Sequence, residues 1–406
     1  MLDERRLQLV DAVRRRVHRG PSAPAATLAG HAAAQGRPLH VAVARFDGIG
    51  DWVLTLPLIG ALREAEDVAE ITAIGHRSHL SLLERLDGVA AEGEDVWASH
   101  HTPWPHGAAG KVLSISALGQ GRALRAGRRH EGRFDLVVVP RWDTDRGQNT
   151  IAFAAATRAL VAAHDPALQP QATRKERADR AAIAILVQDP RPHAHEGERL
   201  EALSSALGLT VPPGAGTVRA LLALPIARTP EATITVHTGA HDAFRRWPQR
   251  SWVELVDALL TSTEDSIVLI GGRDDAADHG PLVARDPARV RSVAGELPLR
   301  SLPDLLDTAR LMIGGDSGPA HIAAAIGVPT LVVSSFPEGD DPGHPNSPDR
   351  FGPRSAGGTT ILRPPPSDRP FAELTDAERG GLLAGIRPTE VHRAAMALLA
   401  AARSRP

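Results

Sequence analysis

The sequence predicts an α/β protein built from two doubly wound parallel-sheet domains, and three observations predict it. Short apolar runs alternate with stretches of helical periodicity, the alternation occurs twice along 406 residues, and a proline-rich break separates the two series. In the first series LHVAVARF (from Leu39), EITAIG (from Glu70) and FDLVVVP (from Phe134) read as strands buried on both faces. Helices are expected near Leu56–Glu66 and Ser78–Leu86, and around Ile151–Ala163. After VPPGAG and IARTPEA the second series has strands TITVHTG, SIVLIGG, RLMIGGD and PTLVVSS. Its helices are expected over Ser251–Thr261 and near Leu302–Thr308 and Ala320–Ile326. The expected organisation is a helix and linker over 1–37, a first domain over 38–225, a second over 226–385 and a closing helix over 386–406. Ligands of such sheets bind at the carboxyl ends of the strands, so the loops there are where chemistry is expected.

Composition narrows the function classes. The 46 basic and 48 acidic residues give a formal charge of -2, which supplies no general field for nucleic acid. There is no cysteine, which excludes disulfides, thiolate metal sites and a cysteine nucleophile. No apolar run reaches the roughly 18 residues of a membrane span, and the charged N-terminal stretch is unlike a signal peptide, so a cytoplasmic protein is expected. Leu2, Leu9, Val10, Val13 and Val17 recur at helical spacing. A helix packed on the body is the plain reading, and an arginine face at an anionic surface leaves peripheral membrane contact open. Lysine occurs only at Lys111 and Lys175, which fits the coding bias of a GC-rich bacterial genome.

Three stretches at expected strand ends carry the candidate chemistry. In RFDGIGD, Gly48 and Gly50 allow a close backbone approach, while Asp51 falls where a helix begins and is either its cap or a functional carboxylate. The third glycine of a dinucleotide fingerprint is absent, since position 53 is valine. In VHTGAHDAFRRWPQRSW, Arg245 and Arg246 stand before a helix, where guanidinium and free N–H groups suit a diphosphate. A solvated basic loop is the alternative. In LMIGGDSGPAHIAAAIGVPT, Asp316 or Ser317 can cap the helix, Pro319 suits its first turn and Gly327 its left-handed end. Capping gives no reason for His321. WDTD, from Trp142 to Asp145, superficially resembles a metal-binding D-x-D, but no metal site is expected there.

Together these three stretches, in this order, resemble glycosyltransferase family 9, the bacterial ADP-heptose heptosyltransferases. The resemblance spans residues 38 to about 335, and FPEGDDPGHPNSPDRFGP fits the loop that follows. It implies a GT-B fold with acceptor held by the first domain and nucleotide sugar by the second. It further implies inverting, metal-independent transfer of heptose from ADP-heptose to a hydroxyl-bearing acceptor, a lipopolysaccharide core sugar or a specialised metabolite. No cofactor is implied beyond the ADP-sugar donor substrate. By motif position Asp51 corresponds to the catalytic base and Asp47, Gly48 and Gly50 to the acceptor-side loop. Thr238, Gly239, Arg245, Asp274, Asp316, Ser317, Gly318 and His321 correspond to the donor site, with Asp275 as defensible as Asp274. The family often has lysine where Arg245 stands, and Arg300 occupies the position expected to offer backbone to the base. Transfer of another nucleotide sugar, and a non-catalytic nucleotide-sugar-binding partner protein, are the alternatives.

Overall fold

The computed structural model describes residues 27–94, 121–141, 144–168, 180–189, 191, 194–212 and 214–403. The expected N-terminal helix and the WDTD side chains lie outside the described residues. Among the described residues twelve parallel strands form two six-stranded sheets. The first contains β1 (Leu39–Ala44), β2 (Val68–His76), β3 (Ala90–Glu94), β4 (Leu136–Val139), β5 (Leu160–His164) and β6 (Ile185–Val187), in the order β3-β2-β1-β4-β5-β6. The second contains β7 (Thr233–His237), β8 (Ser266–Ile270), β9 (Val290–Ser292), β10 (Leu311–Gly315), β11 (Thr330–Val333) and β12 (Thr359–Leu362), in the order β12-β11-β10-β7-β8-β9. The principal helices are α1 (Leu28–Gln35), α2 (Ile49–Arg63), α3 (Thr144–Ala156), α4 (Glu196–Ala206), α5 (Gly216–Leu221), α6 (Gln249–Ser262), α7 (Leu302–Thr308), α8 (Gly318–Ala325), α9 (Asp376–Ala384) and α10 (Pro388–Arg403).

Each sheet reverses its winding once, between β1 and β4 and between β7 and β10. These switch points open a crevice at the strand ends, because the connections leave in opposite directions. Strand burial follows from the covering helices: Ile234, Leu269, Ile313 and Leu331 pack with Trp252, Leu255 and Leu259 of α6 and with Val391, Ala395 and Leu399 of α10. Trp247 and Trp252 meet edge to face at 4.9 Å, and the Trp247 indole N–H donates to the Ile386 carbonyl at 3.1 Å.

One expected helix is corrected. The helix around Ile151–Ala163 stops at Ala156, and Leu160–His164 is β5. Thr157 turns its hydroxyl onto the Ala154 carbonyl at 2.7 Å, and Arg158 takes φ +63°, a left-handed conformation that ends the helix. The alanine-rich run that follows carries no period that separates strand from helix.

By contacts the chain divides into two units, and the division departs from simple sequence order. The first holds residues 1–47, 57–192 and 196–212; the second holds Gly48–Leu56, His193–His195 and Pro213–Pro406. The stretch after residue 213 is tied to the second unit by Arg219 of α5. Its guanidinium forks onto Asp307 of α7 at 2.6 and 3.2 Å and also donates to the carbonyls of Pro225 (2.7 Å) and Ile326 (3.0 Å). Both side chains of the pair are nearly out of solvent, at 3% and 11% exposed. Asp307→Ala would leave a buried guanidinium without its counter-charge, and unfolding free energy is expected to fall by about 3–5 kcal/mol. Urea titration of parent and variant checks this; a loss below about 1 kcal/mol would mean that the pair behaves as a solvated surface bridge.

Candidate functional site

The second unit gathers most of the sequence-predicted residues around the β7–β10 switch point. The two strands pair in parallel with His237 opposite Gly314, so Thr238 and Gly239 leave β7 beside Gly315 and Asp316 leaving β10. At Gly314 the two strands approach closely: a Cβ would stand 3.1 Å from the His237 carbonyl oxygen.

Asp316 is not a helix cap. Ser317 is the residue before α8, extended at φ -157° and ψ 164°, and neither its side chain nor that of Asp316 caps the helix N–H groups. The Asp316 carboxylate instead accepts from Arg245 Nη2 at 2.7 Å and lies 3.4 Å from His321 Nε2. Burial alone would push its pKa up, but the Arg245 guanidinium and His321 outweigh it and hold the carboxyl below its ordinary value. One of the five N–H donors of Arg245 makes that bond, and the side chain retains 28% exposure, so the fork can serve a second anion. Arg245 ends a 3₁₀ turn, Ala243–Arg245, whose Phe244 is buried against Phe371 at 6.1 Å, with Arg379 of α9 5.4 Å above its ring. Phe336 completes that aromatic cluster at 4.9 Å from Phe371.

His321 is 6% exposed, one turn into α8. Its ring lies against the backbone of Gly50, where a Cβ would meet Cδ2 at 2.8 Å; Gly318 likewise faces Ile49, with a Cβ at 3.0 Å from that side chain. These approaches place the turn Gly48–Asp51 with the second unit, whereas the sequence expectation assigns Asp51 to the first domain. Asp51 sits in the first turn of α2, and its Oδ2 accepts the Gly48 N–H at 3.0 Å. It therefore does fasten the helix start, and it remains partly exposed.

Asp47 belongs to the first unit and is nearly sealed. Arg45 Nε donates to its Oδ1 at 2.8 Å, Arg141 pairs with Oδ2, and Arg45 Nη2 reaches Glu196 at 3.0 Å. The β1–β4 switch point is thus filled by ion pairs that order the loop. Of the two acidic residues after β8, Asp274 is exposed, while Asp275 is buried and accepts the Gly272 N–H at 2.8 Å. Gly239 and Gly271 lack side chains because the Asp275 carboxylate fills that space, 2.5 and 2.8 Å from where their Cβ atoms would be. Arg246 is committed to its own loop, donating to the Ala240 carbonyl at 2.9 Å and lying 3.5 Å from Asp275. Arg300 is exposed.

Two histidines at this site escaped the sequence reading. His237 Nδ1 lies 3.1 Å from Ser317 Oγ, which donates its one proton to the Gly315 carbonyl at 3.1 Å. In that arrangement Nδ1–H donates to the serine; in the other tautomer the serine turns its proton to Nδ1 instead. His279 Nε2 lies 3.0 Å from Thr238 Oγ1. Histidine at 237 could be flagged as a polar residue ending a buried strand; RDDAADHG gives no signal for 279. Among the described residues no group of three or more His, Cys, Asp or Glu is arranged to hold a metal ion, and no helix is long and apolar enough to cross a membrane.

Residues 217–334 match the family model for glycosyltransferase family 9 (heptosyltransferase). A lipopolysaccharide heptosyltransferase 3 of Escherichia coli is 31% identical over 101 residues, 24% of this chain and 29% of that protein. The chain thus spans under a third of the length of the curated relatives it matches. Likeness of fold extends further. The E. coli ADP-heptose lipopolysaccharide heptosyltransferase II superposes with a TM-score of 0.60 at 19% identity, covering 90% of this chain and all of that one. An E. coli heptosyltransferase solved with ADP gives 0.61 at 17% identity, covering 88% and 99%.

The buried histidine makes the site acid-labile. Burial lowers the pKa of His237 from 6.5 to about 4, with Asp275 opposing and His279 and Arg246 reinforcing the shift. Between those values the unfolded chain binds a proton that the folded chain refuses, so stability is whole above 6.5 and declines as pH falls toward about 4. His237→Asn keeps a donor near Nδ1 and cannot titrate. Urea midpoints at pH 7 and 4.5 are expected to differ less in the variant than in the parent; identical acid losses would remove His237 as a cause.

Proposed function

We propose that this chain, whose residues 217–334 match the model of glycosyltransferase family 9 (heptosyltransferase), transfers heptose from ADP-heptose to an acceptor hydroxyl, with inversion and without a metal. The observation that carries the reading is the Arg245–Asp316–His321 constellation at the β7–β10 switch point, flanked by the hydroxyls of Thr238 and Ser317. A lone carboxylate at a helix start would repel phosphates. Paired with Arg245 it does not, and its remaining lone pairs can accept sugar hydroxyls. Arg245 would then offer its other N–H groups to the diphosphate, whose charge grows as the glycosidic bond to the leaving group breaks.

Asp51 is the group we assign to take the acceptor hydroxyl's proton as that oxygen attacks the anomeric carbon from the face opposite the departing ADP. A base must be held and must be reachable, and Asp51 is both: Oδ2 is fixed by the Gly48 N–H, and the side chain keeps some exposure. The acceptor is a glycan or small molecule bearing a free hydroxyl.

Incubation with ADP-heptose and candidate acceptors, with ADP release and product mass as readouts, tests the reaction. Asp51→Asn is expected to lower turnover by about two to four orders of magnitude while ADP binds as before. Near-parental turnover would leave Asp51 as a helix fastener only. Arg245→Ala is expected to cost about 1.5–3 kcal/mol of ADP affinity, since it removes a charge-assisted contact and leaves Asp316 unopposed beside the phosphates. Calorimetric titration of ADP measures it, and Arg246→Ala, with its guanidinium tied to its own loop, is the control expected to change affinity little.

A further inference from the structure

Behind Thr238, at the end of β7, runs a hydrogen-bonded chain whose other two members the chemistry above does not use. Thr238 Oγ1 lies 3.0 Å from His279 Nε2, and His279 Nδ1 lies 2.7 Å from Ser292 Oγ. Thr238 follows β7, His279 closes the 3₁₀ segment after β8 and Ser292 ends β9, so three adjacent strands contribute one member each. His279 is 1% exposed. Burying an imidazole is unfavourable unless its nitrogens are satisfied, and a leucine would fill the same space without that demand. Two hydroxyls satisfy it here.

Counting protons shows what the chain can do. A hydroxyl has one proton and a neutral imidazole has one N–H. Burial lowers the His279 pKa, against the opposing pull of Asp275 and Asp278, so the ring is neutral at pH 7. If Nδ1 bears the proton, it goes to Ser292, Thr238 donates to Nε2, and Thr238 meets the crevice only as an acceptor. If Nε2 bears it, Ser292 donates to Nδ1, Nε2 donates to Thr238, and the Thr238 proton is left for a ligand. Ser292 suits the second arrangement, because its oxygen also accepts the Ala294 N–H at 3.3 Å. Thr238 itself is half-buried at the mouth of the switch point. An anionic oxygen there selects the donating form.

We propose that His279 is a positioning residue for the nucleotide diphosphate, holding the Thr238 hydroxyl so that its proton is donated to a phosphate oxygen at the end of β7. The inference rests on the diphosphate reading of the site. It turns Ser292–His279–Thr238 into a relay with one direction, in which each hydroxyl accepts from behind and donates ahead while the ring accepts at Nδ1 and donates at Nε2, and such chains strengthen as each bond polarises the next.

Calorimetric titration of ADP against Thr238→Val, His279→Leu and the double variant tests it, with thermal melts beside them. Each single change is expected to weaken ADP about tenfold, and the double change no more than either alone, because Thr238→Val removes the hydroxyl that meets the phosphate and His279→Leu acts only through that same hydroxyl. His279→Gln, whose amide keeps a donor near the Nε2 position, is expected to stay within about threefold of the parent. A weakened Thr238→Val beside a parental His279→Leu overturns the relay while leaving the diphosphate reading intact, and so do additive losses in the double variant. Parental binding by Thr238→Val overturns the relay as well, with Arg245→Ala then deciding whether the diphosphate reading survives. Should His279→Leu fail to fold, Ser292→Ala carries the test: a loss of about threefold supports the relay, and parental affinity overturns it.

Discussion

An arginine and an aspartate 2.7 Å apart, one on the loop after β7 and one just past β10, set the electrostatic terms of the second unit. Burial disfavours the charge on Asp316, and the neighbouring guanidinium of Arg245 more than offsets that. Each holds the other in position. The pair is close to neutral, with His321 as the third member, and it lets a site built at a helix start treat phosphates and hydroxyls as partners on different sides. Its geometry depends on a residue with no chemistry of its own: Phe244 anchors the turn that ends in Arg245.

The first unit has the same winding and a different outcome. Its switch point is occupied by Arg45, Asp47, Arg141 and Glu196, paired among themselves and nearly without solvent. The same strand order thus ends in an ionic cluster in one unit and in the Arg245–Asp316–His321 group in the other, because side chains at the strand ends, and not the sheet order, decide what a switch point can accept.

How much of this was legible depended on the range of the interactions. Strands such as LHVAVA and SIVLI, apolar on both faces, announce themselves locally, and so do Gly327 at φ +86° and Pro319 in the first turn of α8. Edge strands such as Ala90–Glu94 have too few apolar residues to be recognised, and Leu160–His164 is silent because alanine fits either structure. Asp316 and Arg245 were found by motif, yet their pairing joins residues 71 apart and was not visible. The same holds for Thr238 and His279, 41 apart, and for Asp47, read as a loop residue and found clamped by an arginine 94 positions away. Between Asp274 and Asp275 the sequence could not choose; burial distinguishes them, since only Asp275 fills the space left by two glycines.

The aromatic cluster around Phe244 has a consequence for how this protein can be divided. The span that matches the family model ends at residue 334, but Phe244 rests on Phe371 and Arg379, β12 completes the sheet beside β11, and Val391 and Leu399 of α10 seal its core. A fragment cut at the limits of the match would expose the flank of β11 and uncover that apolar face. The heritable signature is therefore smaller than the smallest piece that can stand alone. Swapping it between relatives as a cassette would require carrying the aromatic and helical segments downstream, which close the same surface.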